Sequence, residues 1–369
     1  MRQILRSLIF IVFFTSCGRL PVISTQESKI TATIDKTYQV GIEVTTQTPT
    51  QEPIDYYHKA TKISSLYGAA ELRWTADGKI ICRTCILNDG TSVPWGEIDP
   101  STGHFLMLSP KEFQIPEQIS DSNIFKDDEI LLYLPSPSKE KAILSIEEKI
   151  EKDHSLVVYS MIEETATQIP FSLDFCEAGG IYSLQEWSGD SRYVLASCWM
   201  ANVGETLTWF IINTNDGTIY DLREAIGTSD GVTAVFSSDG KKVAATDYRN
   251  SIYVYLISEL FSGGKDQIRE SQIIEIETMF IDRMKWSMDD RFIYFDSHRK
   301  GEILLCRVDL FTGNTEIIFD RSKIETIDNH ILPFFHGSWY LSPDNQYILL
   351  NHYTLLGDNT LWLFHLTSR

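Results

Sequence analysis

The sequence predicts an all-β fold built from a sixfold repeat, and three observations carry that prediction. A short motif, in most copies a large apolar residue, Ser or Thr, any residue and Asp, recurs along the chain. Runs of strand-forming residues follow each copy, and tight-turn residues punctuate those runs at regular places. The copies are WTADG at Trp74, PSPSK at Pro135, WSGDS at Trp187, FSSDG at Phe236, WSMDD at Trp286 and LSPDN at Leu341. Aligned on the hydroxyl residue they fall at Thr75, Ser136, Ser188, Ser237, Ser287 and Ser342, at intervals of 61, 52, 49, 50 and 55 residues. Four-stranded units of about 40–50 residues stack around an axis as β-propeller blades. The expected architecture is a six-bladed β-propeller of four-stranded antiparallel blades.

Each element follows from its residues. The run leading into each anchor is the first strand. Asp, Asn, Gly, Ser and Pro in the anchor tolerate tight-turn dihedrals, and the Ser or Asp side chain can bind neighbouring backbone. The second strands are KIICRT, KAILSI, RYVLAS, KKVAAT, RFIYFD and QYILLN, and third strands include TLTWFII, SIYVYLI, EILLCRV and TLWLFHL. A second punctuator follows, DPSTG from Asp99, NTNDG from Asn213 and DLFTG from Asp309, with EETAT from Glu163 a worn copy. Fourth strands come next, as in HFLML, TQIPF, TIYDL and TEIIF. Trp or Phe before the hydroxyl offers a flat surface for packing between sheets. SIEEKIEKD, from Ser145, is expected to form a helical turn or two in a loop of the second blade.

The sixth repeat stops at Leu366, after its third strand. An open ring exposes strand edges, so its outer strand is expected from Tyr57–Leu66, paired alongside Asn359–His365. That closes the ring with an N-terminal strand.

The N-terminus has a different character. In MRQILRSLIFIVFFTSCG, Arg2 and Arg6 precede an apolar run that ends in Thr15, Ser16, Cys17 and Gly18, the order of a secretion signal. The run is too short for a bilayer core of about 30 Å. FTSC resembles a bacterial lipobox, which implies lipidation of Cys17. The organisation expected is a lipoprotein-type signal peptide at 1–17, a flexible Thr/Gln/Pro-rich linker at 18–53 and the propeller at 54–369. The mature chain would be extracytoplasmic, held to a bacterial membrane through its lipid.

Composition narrows the function classes. With a net charge of −19, a pI near 4.8 and no basic stripe, the 369-residue chain is not expected to bind nucleic acid. CRTC at Cys82 and Cys85 lacks both the helix start of a redox site and a second ligand pair for zinc, so half-buried or locally bridged cysteines are expected. No metal and no cofactor are expected.

The repeats resemble the TolB-like, WD-type β-propeller repeats of bacterial extracytoplasmic proteins, whose pattern is Trp-Ser-Pro-Asp-Gly, a short strand and an Asp-Arg-containing loop. LSPDN at Leu341 and FSSDG at Phe236 carry the first part, and DSHRKGEILLCRVDLFTG from Asp296 carries the loop, third strand and closing turn. The resemblance spans residues 57–366 and implies the fold; such propellers host unrelated functions.

Catalytic signatures dissolve on inspection. GTSDG around Ser229 is a formal nucleophile-elbow match, but the elbow needs a strand entering a helix, and Ser229 lies in a polar link. Asp289 and Asp290 occupy turn slots rather than facing each other across a cleft. NTNDGT near Asp216 lacks the spaced acids of a calcium loop. A binding face is expected opposite the motif turns, on the loops between second and third strands. Ten to twelve residues past the anchors lie Trp199, Asp247, Tyr248, Arg249, His298, Arg299, His352 and Tyr353. Aromatics with Arg and His on adjacent loops suit a protein, peptide or glycan partner. Cys176 and Cys198 should lie near this face on neighbouring blades, as candidates for a disulfide. The leading expectation is a non-catalytic binding module. The alternative is an extracytoplasmic hydrolase or lyase at the channel mouth, with His298 and His352 among its acids and bases.

Overall fold

Six antiparallel sheets of four strands each form the ring of a β-propeller. This computed structural model describes residues 45–47, 61–63, 66–75, 77–87, 89–108, 119, 128–148, 154–169, 176–200, 207–262, 272–278, 280–300, 302–320, 336–353 and 359–366. All of them belong to the unit formed by residues 44–369. Cys17 and the signal-peptide stretch lie outside the described residues.

Blades 1 to 5 take their four strands in chain order. Their inner strands are Leu66–Trp74, Asp128–Pro135, Cys176–Trp187, Thr233–Phe236 and Phe280–Trp286, and their outer strands are Phe105–Met107, Thr165–Ile169, Ile219–Asp221, Gln272–Ile276 and Thr315–Asp320. Blade 6 has its first three strands at His336–Leu341, Tyr347–Tyr353 and Asn359–His365. Its outer strand is Thr61–Ile63, antiparallel to Asn359–His365 with Thr61 opposite Leu363 and Ile63 opposite Leu361. The N-terminal strand therefore closes the ring. Ile63, 2% exposed, packs with Leu361, Leu363, Leu72 and Cys85 at the seam between blades 6 and 1.

Two departures from expectation stand out. Thr45–Gln47, within the segment read as linker, form a fifth strand on blade 4, parallel to Gln272–Ile276. Ser145–Glu148, read as helical, complete the second strand of blade 2, Lys141–Glu148. The described helices are instead α1, Leu222–Ile226, and α2, Ile257–Ser262. Asp221 caps α1 by accepting the Arg223 N–H, and Gly227 at φ 75° ends it.

The motif turns share one design. The anchor hydroxyl accepts the N–H four or five residues on, as in Lys79 to Thr75 and Tyr193 to Ser188, both at 2.9 Å. In blades 3 to 6 it also donates to the motif Asp at 2.5–2.8 Å. The residue closing each turn has positive φ: Gly78, Lys139, Ser191, Gly240, Asp290 and Asn345. Asp290 and Asn345 suit this slot because short polar side chains tolerate the left-handed region.

The same residues hold blades together. The Asp290 carboxylate of blade 5 accepts the N–H groups of Ser238 and Asp239 in blade 4, and Asn345 of blade 6 accepts from Met288 of blade 5 at 3.1 Å. Between blades 3 and 4 the slot is Gly240, and the turns meet backbone to backbone at Gly189. The motif tryptophans act as pins: Trp74 donates to the Tyr340 carbonyl, Trp187 to that of Leu134 and Trp286 to that of Val235, each at 3.0 Å. Every accepting carbonyl lies two residues before the anchor of the preceding blade. Apolar clusters fill the seams, as in Val235, Ile252, Ile281, Trp286 and Phe295 between blades 4 and 5.

Antiparallel alternation places all motif turns, with the turns after third strands, on one side of the disc. We call it the motif face. The loops after second strands and the links between blades lie on the other, the loop face.

Candidate site on the loop face of blades 4 and 5

The second strand of blade 4, Lys242–Thr246, runs into a four-residue loop that begins with Asp247. Asp247 is 5% exposed, and its carboxylate accepts the Arg249 N–H and faces the Arg249 Nε, both at 3.3 Å. The outward end of the Arg249 guanidinium reaches Asp230 at 2.6 Å. The loop backbone is fastened at two more points: Ile281 donates to the Arg249 carbonyl at 2.9 Å and Ile276 to that of Asn250 at 2.7 Å.

Between these fixings Tyr248 sits at φ 60°. A bulky side chain in the left-handed region is an outlier that persists only where surroundings over-determine it. Tyr248 is half-buried. Burial, with the nearby Asp282 charge, pushes its hydroxyl up to about 12.

Phe280 opens the inner strand of blade 5 and is 37% exposed. Its ring stacks on His298, centroids 3.9 Å apart and planes 17° from parallel. Thr278 anchors the pair: its hydroxyl contacts the His298 carbonyl at 2.9 Å and the Phe280 carbonyl at 3.1 Å, and accepts from Ser297 at 2.9 Å. Just beyond, a bulge between Asp282 and Lys285 puts Arg283 at φ 46°. Towards the other face, Lys285 stands 3.9 Å from Glu186 of blade 3, whose carboxylate also accepts the Phe236 N–H.

The eight residues expected on this face are distributed as follows. Asp247, Tyr248, Arg249 and His298 come together through the Arg249–Ile281 bond. Arg299 ends the second strand of blade 5 opposite Glu302, with Nε and one terminal nitrogen buried and without hydrogen-bond partners. Trp199 is half-buried at the end of a blade 3 strand, opposite Leu207. His352 and Tyr353 pair by backbone with Gly337 and His336 in blade 6, and their side chains lie outside the described residues.

Cys176 and Cys198 are bonded, with Cα atoms 5.7 Å apart, but both belong to blade 3 rather than to neighbouring blades. The inner strand of blade 3 is twelve residues long, and its register shifts bring Cys176 back beside the second strand. Cys82 and Cys85 are also bonded, and both are fully buried. The remaining described cysteine, Cys306, is buried, and burial pushes its thiol up to about 12.

Sequence reasoning missed Asp230, Thr278 and Phe280. Asp230 is the Asp of GTSDG, whose first Gly terminates α1 and whose Asp secures Arg249, so that motif is a helix stop and a loop brace. Phe280 precedes its anchor by seven positions, and no motif marks it. Chemically, the mouth combines a π-face, a fixed guanidinium and exposed polar groups. Among the described residues, no three His, Cys, Asp or Glu side chains converge to hold a metal ion.

No protein-family model and no curated protein matches the chain. Among solved structures it is similar to TolB from Acinetobacter baumannii, at 16% identity over 74% of this chain and 60% of that one, TM-score 0.40. The chain thus spans three fifths of that protein. It is also similar to the putative TolB from Agrobacterium tumefaciens, at 16% identity over 65% of this chain and 91% of that one, TM-score 0.36. A chain of the mitotic checkpoint complex is similar at 8% identity over 90% of this chain and 100% of that one, TM-score 0.43. At this level of agreement the architecture stands on the strand pairing rather than on the likenesses.

Proposed function

We propose that this protein is an extracytoplasmic binding module, held to a bacterial membrane by a lipid on Cys17, that recognises a protein or peptide without catalysing a reaction on it. The observation that carries the reading is the partly exposed Phe280–His298 stack beside the braced Asp247–Arg249 loop. A partner that covers an exposed aromatic face gains from its burial, and groups already fixed lose little entropy on binding. The loop holds Tyr248 in a costly conformation and ties Arg249 at both ends, which makes sense for a surface whose shape must be kept ready.

The order of the N-terminal residues supports the tether, and mass spectrometry of the mature N-terminus tests it. A diacylated or triacylated Cys17 is expected; an unmodified Cys or another first residue refutes it. For the face, the test is capture of partners from solubilised membranes by wild type and by Phe280→Ser/His298→Ser. Loss of the principal partner from the variant, with its melting temperature unchanged, is expected. An unchanged partner set would place the binding surface elsewhere.

A further inference from the structure

The strand Thr45–Gln47 has a direction, and that direction sets the face at which the preceding chain joins the disc. Thr45 lies opposite Ile274 and Gln47 opposite Ile276, in parallel. Ile276 ends at the loop face, where it donates to the Asn250 carbonyl. Gln272, at the other end, reaches the motif face, where its side-chain amide donates to the Leu310 carbonyl at 3.1 Å. The strand is joined to everything before it through Thr45, and Thr45 is its motif-face end.

The turn that Gln272 touches carries Phe311, 91% exposed and the most exposed of the large apolar side chains described. The motif turn of the same blade, joined to it by the Leu310 N–H donating to the Arg291 carbonyl at 2.9 Å, presents Met288 at 54% exposure. Both side chains stand at the tips of turns, Met288 with its sulfur accepting the Ser238 hydroxyl of blade 4 at 3.6 Å. Convex apolar tips are poorly suited to filling a pocket in themselves and well suited to entering the boundary between lipid headgroups and chains. Lys241 and Arg291 are exposed close by, but Asp239 lies 3.4 Å from the Lys241 ammonium and Asp309 2.6 Å from the Arg291 guanidinium, so headgroup charge contributes little attraction.

We propose that Phe311 and Met288 rest in the interface of the membrane to which the chain is tethered. The loop face, with Phe280 and His298, then points away from the lipid and towards a partner. This orientation rests on the tether proposed above, and it adds a second attachment point beside the place where the tethered segment joins the disc.

The test uses the full chain with its native N-terminus, attached to phosphatidylcholine vesicles containing brominated lipid. A bimane label is placed in turn on Phe311→Cys, Met288→Cys and, on the loop face, Lys300→Cys. Selective labelling is practical because the described native cysteines are bonded or buried. Quenching at 311 and 288 several-fold stronger than at 300, and insensitive to salt, is expected. Attached chains quenched at 300 instead, or equally at all three, overturn the orientation while leaving the tether intact. Attached chains unquenched at 311 and 288 also overturn it, the outcome expected if those tips seat in a protein. Failure of the chain to attach at all overturns both the tether and the membrane face.

Discussion

Replacing Gly189 by Ala places a methyl group in the seam between blades 3 and 4. A Cβ there would lie 2.5 Å from the Ser238 carbonyl oxygen, where ordinary contacts begin at 3.4 Å. Nothing flexible can yield, because the opposing atom is backbone. Retreat in the other direction is limited by Gly240, where even a Cβ would meet the Gly189 nitrogen at 2.8 Å. The two turns must therefore separate by somewhat under 1 Å, which is overpacking of a kind that costs about 1–3 kcal/mol. For a domain of this size, about 2 kcal/mol corresponds to a fall of roughly 3 °C in melting temperature. Scanning calorimetry of Gly189→Ala beside Met288→Ala measures it. Met288 occupies the same motif slot in blade 5, is 54% exposed, and should tolerate Ala with little change. The comparison is stringent because Ala76 fills that slot in blade 1, so the motif alone would rate Gly189→Ala harmless. A melting temperature within 1 °C of wild type would refute the backbone-to-backbone seam.

Further predictions concern the other joints. Ile63→Ala should cost about 2–5 kcal/mol, read by urea unfolding, because it empties a site buried among Leu361, Leu363 and Leu72; a loss under 1 kcal/mol would argue that the closing strand adds little. Trp286→Phe removes the indole donor from the Val235 carbonyl, which keeps its ladder partner Ala244, and should cost about 0.5–1.5 kcal/mol, whereas an unchanged melt would show that the pin is dispensable. Burial raises the Asp290 carboxyl above its ordinary value, so its contribution is most favourable below the unfolded pKa and declines as pH rises through the folded one. Asp290→Asn should therefore gain on wild type as pH rises from below the ordinary Asp pKa of about 3.9 to neutrality, and a pH-independent difference in urea midpoint would contradict this.

Much of the fold was legible because turns impose chemistry on fixed positions. Six hydroxyl anchors announced six blades, and the closing strand followed from a repeat lacking its outer strand. Other features left no local trace. Thr45–Gln47 join blade 4 through backbone pairing in a stretch whose composition resembles a spacer. Asp290 reads as a substitute for Gly, and only its neighbour across the seam reveals the clasp. Cys176 was assigned to the wrong blade because bulges lengthen the inner strand beyond what periodicity suggests. At the candidate site, counting from anchors located Asp247–Arg249 and His298, since loop position follows strand length. Phe280 and Asp230 escaped, because their contribution arises from strands distant in sequence.

The tryptophan pins are not spread evenly around the disc. Trp74, Trp187 and Trp286 belong to blades 1, 3 and 5, and each reaches back to blade 6, 2 or 4. Blades 2, 4 and 6 carry Pro135, Phe236 and Leu341 in the same position. Blade 6 instead reaches back from Trp339, two residues earlier, whose indole donates to the buried Asp296 carboxylate of blade 5 at 3.1 Å. Blades 4, 5, 6 and 1 are thus joined in series by indoles. Opening under stress should spare this arc, and hydrogen exchange should be slowest along it. The candidate site lies within the arc, across the seam between blades 4 and 5, where such opening would reach it last.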